Sequence, residues 1–442
     1  MRKRIPKPAL RVLETLEKSG YEAYLVGGCV RDLLLGKKPN DWDMTTNAHP
    51  EEILDLFEGY AVGTGLQHGT VTVVLNGYPF EVTTYRVDGE YTDHRHPDAV
   101  RFTENLREDL SRRDFTINSM AMDRKGMVKD YFGGQEDLKC GMIRCVGEPQ
   151  QRFEEDALRI MRAIRFSSVL GFPIEDATNN AIHAQAALLD VAMERIRIEL
   201  LKLLSGKDAV RVLMDYADVL GVFLPEILPA IKCDQKNFHH CYDVWEHIAR
   251  TVGYIRADDV LRMTMLLHDL GKPACMTIDE EGVGHFRGHA NESCKMGQDI
   301  LRRLRFDNDS TARILKLVEW HDVPIEPRER TLRRVLNKMG LQGTRDLLAV
   351  KRADNLAQAP EFLGRQQQID ELEQLLEHIL EKDACFSLKQ LAINGNDLMA
   401  LGYKGKEIGQ MLQFLLELVM DESIPNHKDA LLLKAEEEQK KQ

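Results

Sequence analysis

The stretch LVGGCVRDLLLGKKPNDWDMTT, residues 25–46, joins a glycine turn to two acidic residues that stand one position apart. Its first residues predict a short apolar strand that enters the turn at Gly27 and Gly28, and the next residues predict a helix. We expect a second strand to carry Asp41 and Asp43, whose side chains then share one face. Two carboxylates this close repel each other unless a cation lies between them, so the pattern indicates either a cation site or a polar turn.

The periodicity of apolar residues changes along the chain. Residues 70–86, TVTVVLNGYPFEVTTYR, contain two β-branched runs joined by Asn76-Gly77, which predicts a β-hairpin. Beyond residue 145 strand signals nearly disappear, and helical periodicity continues to the end. The sequence therefore predicts an α/β head followed by an elongated all-α region. Turn-rich joints divide it into four predicted domains, a head, neck, body and tail at residues 1–140, 141–222, 223–360 and 361–442.

Composition limits the classes of protein that fit. The chain has 442 residues, of which 43% are hydrophobic and 29% charged, as expected for several globular domains. It contains no apolar run of about 18 residues that would span a membrane. Its eight cysteines are scattered without a Cys-x-x-Cys pair, which indicates free thiols and a cytoplasmic location. The net charge of −12 does not exclude RNA, since residues 301–352 contain 13 Lys and Arg against 7 Asp and Glu.

The glycine turn and the acidic pair together have the features of a phosphoryl-transfer site. Glycines between a strand and a helix allow backbone N–H groups to approach a phosphate, and Arg31 follows in the first helical turn. Paired carboxylates bind the Mg²⁺ ions that bridge phosphate oxygens in two-metal catalysis. Glu81, on the second arm of the hairpin, is a candidate third catalytic carboxylate, although simple solvation also explains a strand glutamate.

Several motifs together resemble one family, the class II tRNA nucleotidyltransferases and bacterial poly(A) polymerases of the polymerase-β superfamily. The resemblance covers at least residues 22–200 and implies a nucleotidyltransferase head. It implies that Asp41 and Asp43 hold Mg²⁺. RRDFTIN, residues 112–118, resembles the motif that grips the triphosphate and the ribose. The nucleotide contacts implied in these two motifs are Gly27, Gly28, Arg31, Arg112, Arg113 and Asp114.

EEDALRIMRAIRF, residues 154–166, resembles the base-selecting motif of the family. On a helix, Asp156 and Arg159 are i,i+3 neighbours that present an acceptor beside a fork of donors. Cytosine and adenine show an amino donor next to a ring acceptor, whereas uracil and guanine show the reverse. A wrong base therefore leaves polar groups unpaired, at roughly 1–3 kcal/mol per group. Arg162 and Arg165 continue the basic stripe towards phosphates, and a solvated helix face is the alternative interpretation.

These motifs predict an enzyme that adds CCA to tRNA 3′ ends from CTP and ATP and releases pyrophosphate. Residues 85–102 resemble the loop of relatives that add the terminal A, which argues against CC-only addition. Addition of A alone and poly(A) polymerisation are the alternatives. Residues 394–419 resemble the family's tail, which implies contact with the acceptor and elbow region of tRNA, although a plain helical packing unit fits the same residues. We expect no membrane partner.

A cluster of histidines indicates a second activity. Seven of the 14 histidines lie between residues 239 and 321, and LLHDLGKP, residues 266–273, resembles the His-Asp pair of HD phosphohydrolases. Such a site would hydrolyse phosphoesters of RNA ends or nucleotides. A helical body that keeps these residues only for packing is the alternative. The resemblance implies a second metal site, for a transition metal, formed by His247, His268, Asp269 and Asp354, with His289 and His321 suited to a fuller site.

Overall fold

The computed structural model of the chain describes residues 5–89, 100–189, 191–382 and 385–440. It consists of two units, Met1–Pro225 and Glu226–Gln442. The predicted division into four domains is finer than these two units and stays a prediction. Residues 90–99 of the predicted loop at 85–102 lie outside the described residues.

A mixed sheet of seven strands forms the centre of the first unit. The described strands of this unit are β1 (Ala23–Val26), β2 (Asp43–Thr46), β3 (Ala61–Gly65), β4 (Thr70–Leu75), β5 (Tyr78–Thr84), β6 (Arg86–Asp88), β7 (Val100–Phe102), β8 (Met120–Met122) and β9 (Val128–Asp130). The order in the large sheet is β3-β4-β5-β2-β1-β8-β9, and β6 pairs with β7 in a separate ribbon. In the large sheet β2 and β5 are parallel, and the other neighbours are antiparallel.

The predicted hairpin is confirmed as β4 and β5. Their antiparallel register ends at the pair Leu75 and Tyr78, so the turn contains only Asn76 and Gly77. Both turn residues have positive φ, 53° and 77°, which is the conformation that two-residue hairpin turns require and that Asn-Gly favours. The alternating β-branched residues then bury one face of the hairpin.

Helices surround the sheet and continue beyond it in the first unit. Helix α7 contacts α9, and the buried side chains include Ile160 and Ile164 from the first and Leu200 and Leu203 from the second. The helices are α1 (Lys7–Lys18), α2 (Gly28–Leu34), α3 (Pro50–Leu56), α4 (Leu106–Ser111), α5 (Gly134–Cys140), α6 (Pro149–Glu155), α7 (Leu158–Leu170), α8 (Asp176–Ala184), α9 (Met193–Leu204), α10 (Ala209–Asp215) and α11 (Ala217–Leu220).

The prediction that Asp156 and Arg159 share one helix is wrong. Helix α6 ends at Glu155, and Asp156 is extended with φ −141° and ψ 102°. The Asp156 carboxylate accepts a hydrogen bond from the N–H of Leu158 at 3.1 Å. Aspartate often ends or starts helices in this way because its side chain competes for backbone donors. Arg159 therefore lies in the first turn of α7, and Asp156 precedes that helix.

The second unit is almost entirely helical in its described residues. Its helices are α12 (Val244–Tyr254), α13 (Asp259–Leu267), α14 (Lys272–Cys275), α15 (His289–Arg303), α16 (Asn308–Trp320), α17 (Glu329–Leu356), α18 (Arg365–Glu381), α19 (Gly395–Ala400), α20 (Lys406–Met420) and α21 (Lys428–Gln439). A short ribbon pairs β10 (Thr277–Ile278) with β11 (Gly284–His285). Helix α17 is interrupted at Gly340, whose φ of 68° is not helical.

Both units bury apolar cores that match the predicted fold class. Trp245 and Leu261 are buried in the second unit, and a separate cluster around Leu415 and Leu416 forms the core of its C-terminal part. An α/β head followed by helices is thereby confirmed. All eight cysteines are free, as predicted. Within the described parts of the chain, no helix is long and apolar enough to cross a membrane.

Candidate functional site

One cavity of about 460 Å³ in the first unit brings together the residues predicted to bind nucleotide. Every predicted nucleotide-binding residue lines it, and so do both residues of the acidic pair. Glu81 is the one predicted catalytic residue outside this lining. The lining residues are Gly27, Gly28, Arg31, Asp41, Asp43, Arg112, Arg113, Asp114, Asn118, Asp156, Arg159, Arg162, Arg165 and Phe166.

The glycine turn connects β1 to α2 and forms one wall of this cavity. Gly27 has φ 76° and ψ −135°, a combination that residues with a side chain rarely adopt. A Cβ atom at Gly27 would lie 3.5 Å from Nη1 of Arg113 and 3.8 Å from Oδ2 of Asp43. Because glycine has no side chain, the space between this cation and this carboxylate stays open to a ligand.

The carboxylates of the site come from two neighbouring parallel strands. Asp43 at the start of β2 is paired in register with Glu81 on β5. Asp41 precedes it by two residues and is exposed, and Trp42 between them is buried. Burial and the negative charges of Glu81 and Asp41 raise the pKa of Asp43 to about 6, which Arg113 only partly opposes. A divalent cation would relieve this repulsion, and hard divalent cations prefer carboxylate oxygens, so the donor set fits such a cation.

Two arginines at the end of α4 are held by Asp109, a residue that the sequence analysis missed. Oδ1 of the buried Asp109 accepts from Nε and Nη2 of Arg112 at 3.0 and 2.9 Å, and Oδ2 accepts from Nη2 of Arg113 at 3.3 Å. Thr45 of β2 donates to the same carboxylate at 3.1 Å. Burial alone would raise the pKa of Asp109, but the two guanidinium groups hold it below its usual range. The sequence did contain a signal for this contact, because Arg112 and Arg113 follow Asp109 at the i+3 and i+4 spacing of helical neighbours.

Asp114 and Arg162 form a second ion pair at the cavity. Arg162 donates from Nε and Nη2 to Oδ2 of Asp114 at 2.8 and 2.6 Å. Burial opposes ionisation, but Arg162 and Asn118 lower the pKa of Asp114 to about 2. Asn118 also accepts from Nη1 of Arg31 at 2.8 Å, so it links Arg31 to this pair. The predicted contact of Asp114 with triphosphate or ribose stays a prediction.

Asp156 and Arg159 line the cavity although they are not on one helix. Asp156 accepts from the guanidinium of Arg195 at 3.2 and 3.5 Å. Arg159 donates to Glu155 at 2.6 Å and to the carbonyl oxygen of Arg112 at 3.0 Å. Each member of the predicted base-selecting pair is therefore fixed by a different neighbour.

Arg165 is oriented by two residues of the cavity region. Its Nε donates to Glu199 of α9 at 2.7 Å, and its guanidinium carbon lies 3.5 Å from the ring centroid of Phe166. The sequence did not identify Glu199, because the two residues are distant along the chain. The cavity thus combines an acidic side with a wall of oriented arginines, which suits a metal-bound triphosphate.

The second unit brings the predicted histidine cluster together. Nε2 of His247 and Nε2 of His268 lie 3.2 and 3.3 Å from Oδ2 of Asp269, and both also face Asp354, at 3.0 and 3.5 Å. Nε2 of His289 and Nε2 of His321 lie 3.3 and 3.5 Å from the other oxygen of Asp269. Two groups of potential metal ligands therefore share Asp269.

The hydrogen bonds of Nδ1 in each ring orient these histidines so that every Nε2 faces the Asp269 carboxylate. Each Nδ1 faces a backbone carbonyl oxygen, which only accepts hydrogen bonds, so in the neutral ring Nδ1 carries the proton. Each Nε2 then presents a lone pair, which is the arrangement typical of metal-binding histidines. The Nδ1 to oxygen pairs are His247 with Ala357 at 3.1 Å, His268 with Met265 at 2.7 Å, His289 with Phe286 at 2.8 Å and His321 with Val318 at 2.7 Å.

Family models match three separate parts of the chain. They are the poly A polymerase head domain at residues 23–144, the RNA and SrmB-binding site of polymerase A at residues 171–231, and tRNA nucleotidyltransferase domain 2 at residues 289–435. Fold and cavity together define a nucleotidyltransferase with a polymerase-β-like head.

Whole-chain comparisons give the family. A CCA-adding enzyme of Limosilactobacillus reuteri is 35% identical over 434 residues, which cover 98% of this chain and 96% of that enzyme. The solved structure of the Bacillus stearothermophilus CCA-adding enzyme in complex with CTP is 30% identical, with 99% of both chains covered and a TM-score of 0.76. The chain belongs to the tRNA nucleotidyltransferase family that contains these CCA-adding enzymes.

Some relatives match only part of the chain at high identity. With a CCA-adding enzyme of Lactobacillus helveticus the identity is 53% over 196 residues, which cover 44% of this chain. In that comparison the chain spans about half of the relative, 49% of its length.

Proposed function

We propose that the protein adds CCA to the 3′ end of tRNA, using CTP and ATP and releasing pyrophosphate. The convergence of the glycine turn, the acidic pair and the oriented arginines in one cavity carries this proposal. The similarity to CCA-adding enzymes over nearly the whole chain supports it. Addition of A alone and poly(A) synthesis use the same chemistry and are the outcomes that the experiment below must separate.

Asp41 and Asp43 would hold Mg²⁺ in this reaction, and Glu81 is the candidate third catalytic carboxylate. When bound, the metal would neutralise phosphate charge and favour the deprotonated form of the attacking tRNA hydroxyl. Arg112 and Arg113 would bind the triphosphate, since guanidinium groups match phosphate oxygens with two parallel donors. The glycine turn would let the triphosphate approach the backbone closely.

Asp156 and Arg159 would select the base. An aspartate accepts from the amino group of cytosine or adenine, and an arginine donates to the neighbouring ring nitrogen. Because Arg195 and Glu155 fix these side chains, uracil or guanine would leave donors facing donors and acceptors facing acceptors, at roughly 1–3 kcal/mol per unpaired group. Arg162 and Arg165 would face the phosphates.

The same proposal includes the partners and the location. The helical tail around residues 394–419 would contact the acceptor and elbow region of tRNA. The proposal also keeps the division of the chain into a head, neck, body and tail. In this tail Lys404 and Lys406 flank Gly405. The positive φ of Gly405, 55°, bends the backbone between the two lysines. A cytoplasmic location fits the eight free cysteines.

The experiment uses three tRNA transcripts, which end at the discriminator base, at C and at CC. Each is incubated with the protein, Mg²⁺ and CTP or ATP alone or together, and the products are separated on a sequencing gel. We expect full CCA addition to the shortest transcript, and loss of all addition in Asp41→Ala but not in the control Asp55→Ala, an exposed residue of α3. Extension of the CC transcript alone would identify an A-adding enzyme, and a long A tail a poly(A) polymerase. No extension of any transcript would contradict the proposal.

The histidine cluster supports a second candidate function, an HD-type metal-dependent phosphohydrolase that acts on nucleotides or RNA ends. Four Nε2 atoms and the carboxylates of Asp269 and Asp354 converge, which is a donor set that suits a transition metal. A bound metal would supply an activated water for attack on phosphorus. The observation that favours this function is the shared orientation of the four rings, which packing alone does not require.

Metal content and hydrolysis test this second function separately. We expect the protein loaded with Ni²⁺, Co²⁺ or Mn²⁺ and then dialysed to retain metal, and Asp354→Asn to retain less. Hydrolysis of a nucleoside phosphate should fall in Asp354→Asn and persist in Asp41→Ala, while CCA addition should show the opposite pattern. Equal metal retention in the wild type and in Asp354→Asn would contradict the metal site.

A further inference from the structure

The histidine cluster opens into a cavity of about 270 Å³ that also carries cations. Lys272 is buried, and its Nζ lies 2.7 Å from Oδ2 of Asp269. Arg287 lines the same cavity with an exposed side chain. Cations next to a cluster of metal ligands suit a phosphate group. This part of the site would accept the phosphate of any phosphoester, so it does not by itself select a substrate.

Three aromatic side chains, whose chain neighbours include residues of the cavity wall, form a group that we call the rim platform: Phe238, His239 and Phe362. The ring centroids of Phe238 and His239 are 4.3 Å apart, those of His239 and Phe362 are 4.0 Å apart, and those of the two phenylalanines are 5.6 Å apart. Phe238 is nevertheless 67% exposed. His239 and Phe362 therefore support the ring of Phe238 on one side, while its exposed side stays accessible to a ligand.

The backbone connects the rim platform directly to the cavity wall. Asn237 and His240, the residues on either side of the Phe238–His239 pair, both line the cavity. On the other side of the rim, the N–H of Ala359, which follows a cavity-lining residue, donates to the carbonyl oxygen of His239 at 2.9 Å. The residues next to the platform along the chain thus form part of the cavity wall.

We propose that the rim platform stacks on the base of a nucleotide whose phosphate enters the histidine cavity. The proposal rests on the second candidate function and adds to it the group that recognises the base, which makes nucleoside phosphates and RNA ends better substrates than base-free phosphoesters. Stacking tolerates all bases because every base has a π-face, so the platform supplies affinity without the base selection expected in the first unit. In the reaction, water adds to phosphorus, the P–O bond to the ribose breaks, and the ribose oxygen takes up a proton.

Adenosine 5′-monophosphate and ribose 5-phosphate form the test pair, because they differ only in the base. Phosphate release from each is measured with the metal-loaded full-length protein. We expect Phe238→Ala to raise KM for adenosine 5′-monophosphate by about 5- to 150-fold, the range for one lost base–aromatic stacking interaction, with kcat unchanged. KM for ribose 5-phosphate should stay the same. The control Tyr78→Ala, at an exposed aromatic position at the start of β5, should change neither.

A second measurement does not depend on hydrolysis. A short RNA with a terminal 4-thiouridine is photo-cross-linked to the protein without added metal, and the adduct is located by mass spectrometry. We expect an adduct on a peptide that contains Phe238 or Phe362, and its loss in Phe238→Ala.

The outcomes separate the platform from the hydrolytic function. If Phe238→Ala has the same KM as the wild type for each compound, and cross-links occur only in the first unit, the platform is overturned and the hydrolase is left intact. A cross-link at Phe238 in a protein that hydrolyses neither compound would support the platform and overturn only the hydrolytic function.

Discussion

Replacement of Asp109 tests whether the two arginines after α4 owe their position to one buried carboxylate. In Asp109→Asn the amide oxygen can still accept from Arg112, but an N–H₂ group replaces the oxygen that accepts from Arg113 at 3.3 Å. Thr45 adapts, because its hydroxyl can donate instead to the carbonyl oxygen of Thr83, 3.2 Å away. The substitution therefore removes the charge and the partner of Arg113 while it keeps the volume.

The magnitudes follow from burial. Asp109 is fully buried, and the side chains of Arg112 and Arg113 are only 17% and 18% exposed. Loss of one partner in Asp109→Asn should cost about 1–3 kcal/mol, and loss of both in Asp109→Ala about 3–5 kcal/mol. At about 2–4 °C per kcal/mol for a unit of this size, Tm should fall by about 2–12 °C and 6–20 °C respectively.

A functional readout distinguishes positioning of the arginines from simple destabilisation. Because the triphosphate is common to both nucleotides, Asp109→Asn should raise KM for CTP and for ATP by the same factor and leave the preference over UTP and GTP unchanged. The control is Asp137→Asn, another buried acidic residue, which is bonded to Thr116 and Arg144 and does not line the cavity. It should lower Tm without a change in either KM. If both variants lower Tm and neither changes KM, Asp109 has only a structural role and our reasoning is refuted.

Two further substitutions test the geometry of the same cavity. Gly27→Ala should weaken nucleotide binding, since it costs about 1–3 kcal/mol of backbone strain and places a Cβ 3.5 Å from Arg113. Gly59→Ala, also at a positive φ of 78° but with no atom within 4 Å, is the control and should leave transfer rates unchanged. In Arg195→Ala, which removes the partner of Asp156, primer-extension assays should show more incorporation of UTP and GTP relative to CTP and ATP. An unchanged selectivity would show that Asp156 does not need that partner.

The two candidate sites differ in how far the sequence could identify them. The glycine turn, the acidic pair and the arginine motif lie in short contiguous segments, and the structure places all of them in one cavity. The helical break at Asp156 was missed, although an aspartate before an apolar helix is a recognised capping signal. In that case the helical periodicity on both sides outweighed the local signal of one residue.

The histidine cluster was also identified from the sequence, but its ligand set was implied only by the resemblance to HD phosphohydrolases. Pairing of His268 with Asp269 was evident from the sequence, but their partners come from positions as far away as Asp354. Only the packing of α12, α13, α15, α16 and the end of α17 brings the six ligands together in two groups that share Asp269.

The sequence by itself determined the glycine turn between the first strand and helix, the hairpin at Asn76-Gly77 and the change to helices beyond residue 145, because these depend on backbone periodicity and turn geometry over a few residues. The tertiary structure decided which partner each charged side chain has. Asp114 pairs with Arg162 across 48 positions, and Asp156 with Arg195 across 39. Such pairs depend on how helices pack against the sheet and against each other, and no local pattern in the chain records that distance.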